Sequence, residues 1–192
     1  MKNYQQIDKK YIWHPFTQMQ DWEKDDICVI EKAKGCYLYD TKGKRYLDGV
    51  SSLWVTLHGH NHRIVNRYIK KQLKKLDHST LLGLGNVPSI ELAEKLIEIA
   101  PKGLKRVFYS DAGSTAMEIA LKIAYQYWAQ DKNKKNQKKQ KFLTLKDAYH
   151  GDTIGSVSAG GIDLYHKIYR PLLFKTIQIK SPYNFYKNKT LL

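Results

Sequence analysis

"RVFYSDAGSTAMEIALKIAYQYW", residues 106–128, runs from a β-type stretch through a small-residue turn into a long apolar-faced helix. Its first residues are apolar and aromatic enough for a short buried strand. Gly113 and Ser114 form the turn, and Ala116, Met117, Ala120, Leu121, Ala124 and Trp128 then recur along one helix face. Together with a second strand, "KFLTL" at 141–145, this order predicts a βαβ unit and an α/β fold with a parallel or mixed sheet. A helix start leaves free N–H groups and the positive end of the dipole, so a turn of this kind can take an anion. The same two residues also read as an ordinary cap, with Ser114 at the N-cap. There is no full G-x-G-x-x-G or Walker pattern, so neither a dinucleotide nor an NTP is indicated.

Upstream, "PSIELAEKLIEIAP" (88–101) reads as a helix bracketed by prolines, and the apolar spacing over 61–77 predicts another. "CYLYDTKGKRYLDG" (36–49) alternates around a tight turn at Gly43 and predicts a β-hairpin. "YIWHPFTQM" (11–19), broken by Pro15, reads as an extended arm. Downstream, "FKTIQIK" (174–180) is a further strand candidate. No Pro/Ser/Gly-rich linker cuts the chain.

At 192 residues with 42% hydrophobic and 12% aromatic content, the chain has the composition of a globular protein. No apolar run approaches the roughly 18 residues of a membrane span, and the start has no signal-peptide character. Cys28 and Cys36 fit no metal spacing, and a reducing cytoplasm is the expected compartment. The net charge of +15 owes much to six lysines in "KNKKNQKKQK", 132–141. Such a run suits a nucleic-acid surface or a solvated loop. No Arg–aromatic interleaving accompanies it, so the expectation is a loop with no nucleic-acid partner.

Two further clusters carry chemistry. Tyr149, His150, Gly151 and Asp152 follow the second strand, at the carboxyl end where α/β sheets bind ligands. Tyr149 is either a ring that stacks on a flat heteroaromatic ligand or a half-buried aromatic, with Asp152 capping the next helix. His58, His60 and His62 could share a strand face and bind a metal, but Gly59 and Asn61 favour a turn, and no metal is expected.

Taken together, "IWHPFTQM", "LDGVSSLWVTLHGHNH", "DAGSTAMEIALKIAYQYW" and "YHGDTIGSVSAG" resemble, in this order, the class III, fold-type I pyridoxal-phosphate aminotransferases, and within them the biotin-pathway branch. The resemblance runs from about Tyr11 to about Pro182. It implies the N-terminal part of a fold-type I transferase: an arm and hairpin over 1–60, then an incomplete large-domain sheet over 61–192 that binds pyridoxal 5'-phosphate. It places the cofactor phosphate on Gly113 and Ser114 and the ring of Tyr149 against the cofactor. Trp54, Leu53, Phe16 and Tyr149 match the substrate-lining positions. Leu53 stands where the family usually has a first tryptophan, and Phe16 where some members have a tyrosine, which keeps the ring and loses the hydroxyl. The implied reaction moves an amino group from S-adenosylmethionine or lysine to 8-amino-7-oxononanoate, in a cytoplasmic homodimer. The Schiff-base lysine and the carboxylate that partners the pyridine nitrogen match positions beyond Leu192, so the 192-residue chain is expected to be inactive alone. Other class III enzymes acting on ω-amino acids share several of these motifs.

Overall fold

The computed structural model describes residues 2–182. They form two units that meet in sequence between Val87 and Pro88. The last ten positions of the predicted 61–192 segment, 183–192, lie outside the described residues.

The first unit opens with α1 (Tyr4–Tyr11), whose N-cap Asn3 accepts the Gln6 N–H at 3.2 Å. The arm that follows is fastened by its aromatic residues. Asp8 accepts from Trp22 Nε1 at 2.9 Å and meets His14 Nε2 at 2.9 Å, while the His14 and Trp22 rings lie 4.2 Å apart. Trp22 closes α2 (Met19–Trp22). A three-stranded antiparallel sheet follows, β1 (Ile30–Lys34), β2 (Tyr37–Asp40) and β3 (Arg45–Leu47) in that order. The predicted hairpin is its second half, with Tyr37 opposite Leu47 and Tyr39 opposite Arg45. Asp40 builds the turn by accepting the N–H groups of Lys42 (2.9 Å) and Lys44 (2.8 Å) and the Tyr46 hydroxyl (2.9 Å). Gly43 takes the positive φ, +82°, that such a turn needs. Beyond the short turn α3 (Ser51–Trp54), α4 (Arg63–Leu73) forms as its apolar spacing predicts, capped by His62.

The second unit begins within α5 (Val87–Ile99). Residues 104–110 run outside any helix or strand, held to α5 where the Tyr109 hydroxyl donates to the Ser89 carbonyl at 2.5 Å. The strand predicted over "RVFYS" is therefore not present. An apolar run becomes a strand only when its N–H and C=O groups find a ladder partner, and no described strand pairs with it. The helix after it, α6 (Gly113–Ala129), forms as predicted. The lysine run contains a single 3-10 turn, Asn136–Lys138, and Lys139 lies 3.7 Å over the Trp128 ring. Its ammonium thus rests on the aromatic end of α6.

The parallel pairing of the α/β class appears between β4 (Leu143–Leu145) and β5 (Ile177–Ile179), with Leu143 opposite Ile177 and Leu145 opposite Ile179. The crossover carries α7 (Ile154–Ala159), α8 (Asp163–His166) and a 3-10 turn over Lys167–Leu172. α7 is built of small residues, and every position from Gly155 to Ala159 is buried. With Leu121 of α6 they make up the small core of this unit.

Candidate active site

The α6 turn and the loop after β4 are packed together. Gly151 takes φ +114°, and a Cβ there would lie 2.9 Å from the Ser114 Cα and nearer still to its Cβ. Only glycine lets the 149–152 loop close on the phosphate-type turn. A second tie lies one helical turn along α6. Glu118 accepts the Gly155 N–H at 2.6 Å and a hydrogen bond from the Thr153 side chain, so it caps α7 from outside. The Thr153 bond is the main reason its carboxyl sits below the ordinary value, overcoming the opposing effect of burial.

At the start of α6 the N-cap is Ala112, not Ser114, so the cap reading of Ser114 is overturned. Thr115 does the capping. Its hydroxyl takes the Ala112 N–H at 3.0 Å and meets Asp111 at 2.9 Å and Ser110. Ser114 is thereby left in the first turn, where the amides of Gly113, Ser114 and Thr115 have no use inside the helix. A Cβ built on Gly113 meets nothing within 4 Å. This open face, beside first-turn amides and a serine, fits a phosphate.

Tyr149 is half exposed and held from behind. Its hydroxyl donates to Asp152 Oδ2 at 2.6 Å, which pushes the phenol above its ordinary pKa and the carboxyl below its own. Asp152 Oδ1 is 2.9 Å from Nε2 of the buried His166, whose Nδ1 accepts the Ile162 N–H at 3.0 Å. Because Nδ1 accepts, Nε2 carries the proton and donates to Asp152. The His166 ring lies near-parallel to Tyr149, at 11° and 6.5 Å. With 51% of Tyr149 exposed, its ring can meet a flat ligand, so these residues fit the pyridine ring and phosphate of pyridoxal phosphate.

The other predicted positions lie in the first unit and share one backbone property. Phe16, Leu53 and Trp54 take φ of 50°, 62° and 70°. Ser51 (51°) and Ser52 (47°) extend this to four consecutive left-handed residues, so α3 is a single left-handed turn. At about 1–2 kcal/mol per residue, four such residues carry roughly 4–8 kcal/mol of strain. Leu53 and Trp54 project from it, 67% and 78% exposed.

The side chain holding that turn, Asp48, was not singled out by sequence reasoning. Its carboxylate accepts the Ser52 N–H at 2.8 Å, the Ser52 hydroxyl at 2.8 Å and His60 Nε2 at 2.7 Å. The Ser52 N–H bond, followed by that of His60, brings its pKa down to about 2. His60, considered from sequence as a metal ligand, serves here as a hydrogen-bond donor, while the His58 and His62 rings lie 5.7 Å apart. Among the described residues no cluster of three or more His, Cys, Asp or Glu could hold a metal ion. Nor is any described helix long and apolar enough to cross a membrane.

Known proteins match this architecture. The family described as aminotransferase class-III matches residues 18–190, and the chain belongs to that family. It is 59% identical over 183 residues to the adenosylmethionine-8-amino-7-oxononanoate aminotransferase of Staphylococcus aureus (strain NCTC 8325 / PS 47), covering 95% of this chain and 40% of that protein. The crystal structure of the enzyme of the same name from Methanocaldococcus jannaschii superposes with a TM-score of 0.88 at 48% identity, over 94% of this chain and 41% of that one. The ω-transaminase from Pseudomonas jessenii in complex with PMP gives 0.84 at 28% identity, over 94% and 40%. The chain thus spans about 40% of the length of these relatives, and the fold is that of the N-terminal part of fold-type I transaminases.

Proposed function

We propose that this chain is the N-terminal portion of a pyridoxal-phosphate aminotransferase of biotin synthesis, one that transfers an amino group from S-adenosylmethionine or lysine to 8-amino-7-oxononanoate. The observation that carries the cofactor part is the seating of Gly151 against Ser114, which unites the phosphate-type turn with the loop bearing Tyr149. The substrate part is supported by identity to relatives bearing that enzyme's name, well above the identity to the ω-transaminase.

When bound, pyridoxal phosphate supplies a carbonyl carbon that takes up the amino group and a ring that accepts the electron pair left when a proton departs. This chain's own part is to bind and orient. The Gly113–Thr115 amides and the Ser114 hydroxyl take the phosphate, with the α6 dipole adding to the attraction. Tyr149 offers its ring to the cofactor, and Asp152, steadied by His166, sets the ring's angle. Leu53, Trp54 and Phe16 line the substrate, and Phe16 does so without a hydroxyl, which is why lysine stands beside S-adenosylmethionine as donor. No lysine of the chain sits in a motif matching the Schiff-base position, so the proton-moving group is assigned to a position outside residues 1–192.

In the same reading, residues 1–60 are the arm and hairpin segment, 61–192 begin the cofactor-binding domain, and the working enzyme is a cytoplasmic homodimer. The exposure of Ile90 (62%) and Ile99 (81%) on α5 supports further covering surface of that kind.

The test is a chimera joining residues 1–182 to the remaining C-terminal portion of the Staphylococcus aureus relative. Formation of 7,8-diaminononanoate with either donor is expected, and the ratio of the two rates identifies the donor. A folded chimera that binds pyridoxal phosphate and makes no product with either donor refutes the substrate assignment.

A further inference from the structure

The turn at 51–54 asks what pays for it. Four consecutive L-residues, none of them glycine, occupy the left-handed region, where a side chain crowds the following carbonyl. The backbone recovers its own hydrogen bonds only in part, with Trp54 N–H to the Val50 carbonyl at 2.8 Å and Val55 N–H to the Ser51 carbonyl at 3.0 Å. Such strain persists only where the surroundings over-determine it.

Those surroundings converge on one carboxylate. The Asp48 side chain is 4% exposed and takes three donors, two from Ser52 and one from His60. His60 is itself fixed to the sheet turn, since its N–H donates to the Gly35 carbonyl at 2.8 Å and its carbonyl accepts from Gly35 at 3.0 Å. Gly59 permits this approach: with φ +80°, a Cβ there would lie 3.2 Å from the Gly35 carbonyl oxygen. A rigid path therefore runs from the β1–β2 turn through His60 and Asp48 to Ser52, the second residue of the left-handed turn.

We propose that Asp48 is the positioning residue of the substrate-lining segment, its carboxylate holding residues 51–54 left-handed and so fixing where Leu53 and Trp54 are presented. The functional half of this rests on the reading under Proposed function, that Leu53 and Trp54 line the substrate. Neither Asp48 nor His60 touches substrate in this scheme; both act through the turn.

The experiment is a double-mutant cycle on the 192-residue chain with Leu53→Gly and Asp48→Ala, read by thermal unfolding. Leu53 is largely exposed and donates nothing to Asp48, so its replacement leaves the clamp whole and removes one residue's strain. With Asp48 present, Leu53→Gly is expected to raise Tm by about 2–4 °C. With Asp48→Ala the turn relaxes, and the same glycine is expected to leave Tm unchanged or lower it. A carboxylate that merely stabilised the unit would instead give additive shifts. Equal shifts in both backgrounds, or a fall in the Asp48 background, overturn the proposal. If Asp48→Ala does not fold, Asp48→Asn takes its place, and the intra-residue HN–Hα distances of residues 51–54 by NMR decide. They are short in the left-handed region and expected to lengthen on removing the carboxylate, and persistence of all four short distances overturns the clamp.

8-Amino-7-oxononanoate, titrated against Trp54 emission of the chimera described above with a Trp54→Phe control, separates the two readings. A coupled cycle with no ligand response establishes the clamp and sinks the substrate assignment. An uncoupled cycle sinks the clamp whatever the ligand does.

Discussion

Replacing Gly151 by alanine brings the proposed cofactor site to a quantitative test. Two costs arise at once. The residue sits at φ +114°, where an L-residue is strained by about 1–3 kcal/mol. The new methyl would also lie 2.9 Å from the Ser114 Cα and 3.3 Å from the Ser156 hydroxyl oxygen, and overpacking of that kind costs typically about 1–3 kcal/mol. The loop can escape only by withdrawing from α6, which carries Tyr149 away from Gly113 and Ser114. Together the costs come to roughly 2–6 kcal/mol, so the non-covalent Kd for pyridoxal phosphate, measured by calorimetry, should rise at least about 30-fold. Gly113→Ala is the contrast. A Cβ there meets nothing within 4 Å, so Tm should hold while the methyl intrudes on the phosphate space and binding still weakens. Gly151→Ala with unchanged affinity and a Tm within about 1 °C of the parent would refute the claim that this contact joins the two halves of the site.

Further outcomes are expected. Glu118→Gln should cost about 1 kcal/mol by weakening the cap on Gly155, read as faster amide exchange at Gly155. The Glu118 carboxyl sits below its ordinary value of 4.5, so its contribution is full above that pH and declines as the pH falls through its lower folded value. Asp48 behaves likewise in a lower window: with a folded pKa of about 2 against 3.8 ordinarily, its hold on the 51–54 turn is complete above about pH 4 and lost towards pH 2. A fluorescence titration of Trp54 should follow that loss and be flat over it in Asp48→Ala. His166→Gln should leave Tyr149 less firmly oriented, reducing cofactor affinity without abolishing it, whereas Tyr149→Phe keeps the ring and loses only the bond to Asp152. The 192-residue chain, supplied with pyridoxal phosphate, 8-amino-7-oxononanoate and either donor, should form no 7,8-diaminononanoate.

What was legible in the sequence was whatever neighbouring residues decide. "DTKG" announces its hairpin because Asp40 and Gly43 carry the turn between them, and α4 and α6 follow from the spacing of their apolar residues. "RVFYS" misled because its composition satisfies half the condition for a strand, and the other half is a partner elsewhere. Ser114 looked like a cap by residue type, yet Thr115 reaches Asp111 and the Ala112 amide better from one position on. The left-handed turn was hidden for a similar reason. No glycine marks it, and the groups that force it, Asp48 and His60, stand 12 residues apart in sequence. Glu118, 37 residues from Gly155, is more distant still. Families of such contacts show in motif resemblance, which retains their residues without revealing their geometry.

The contrast between the two sheets has a consequence in time. The β1–β2–β3 meander is complete within Ile30–Leu47, and contacts that local close within about 1–10 μs of becoming available. The β4–β5 pair must wait for Ile179, which a ribosome adding about 5–20 residues per second reaches roughly 7–26 s after Leu47. From the time Leu145 is made until Ile179 follows, the nascent chain presents β4 as an apolar segment with no ladder to join, the species that chaperones retain. The first unit can therefore take shape during synthesis, while the half that bears Gly113, Ser114 and Tyr149 depends on being shielded until its parallel strand arrives.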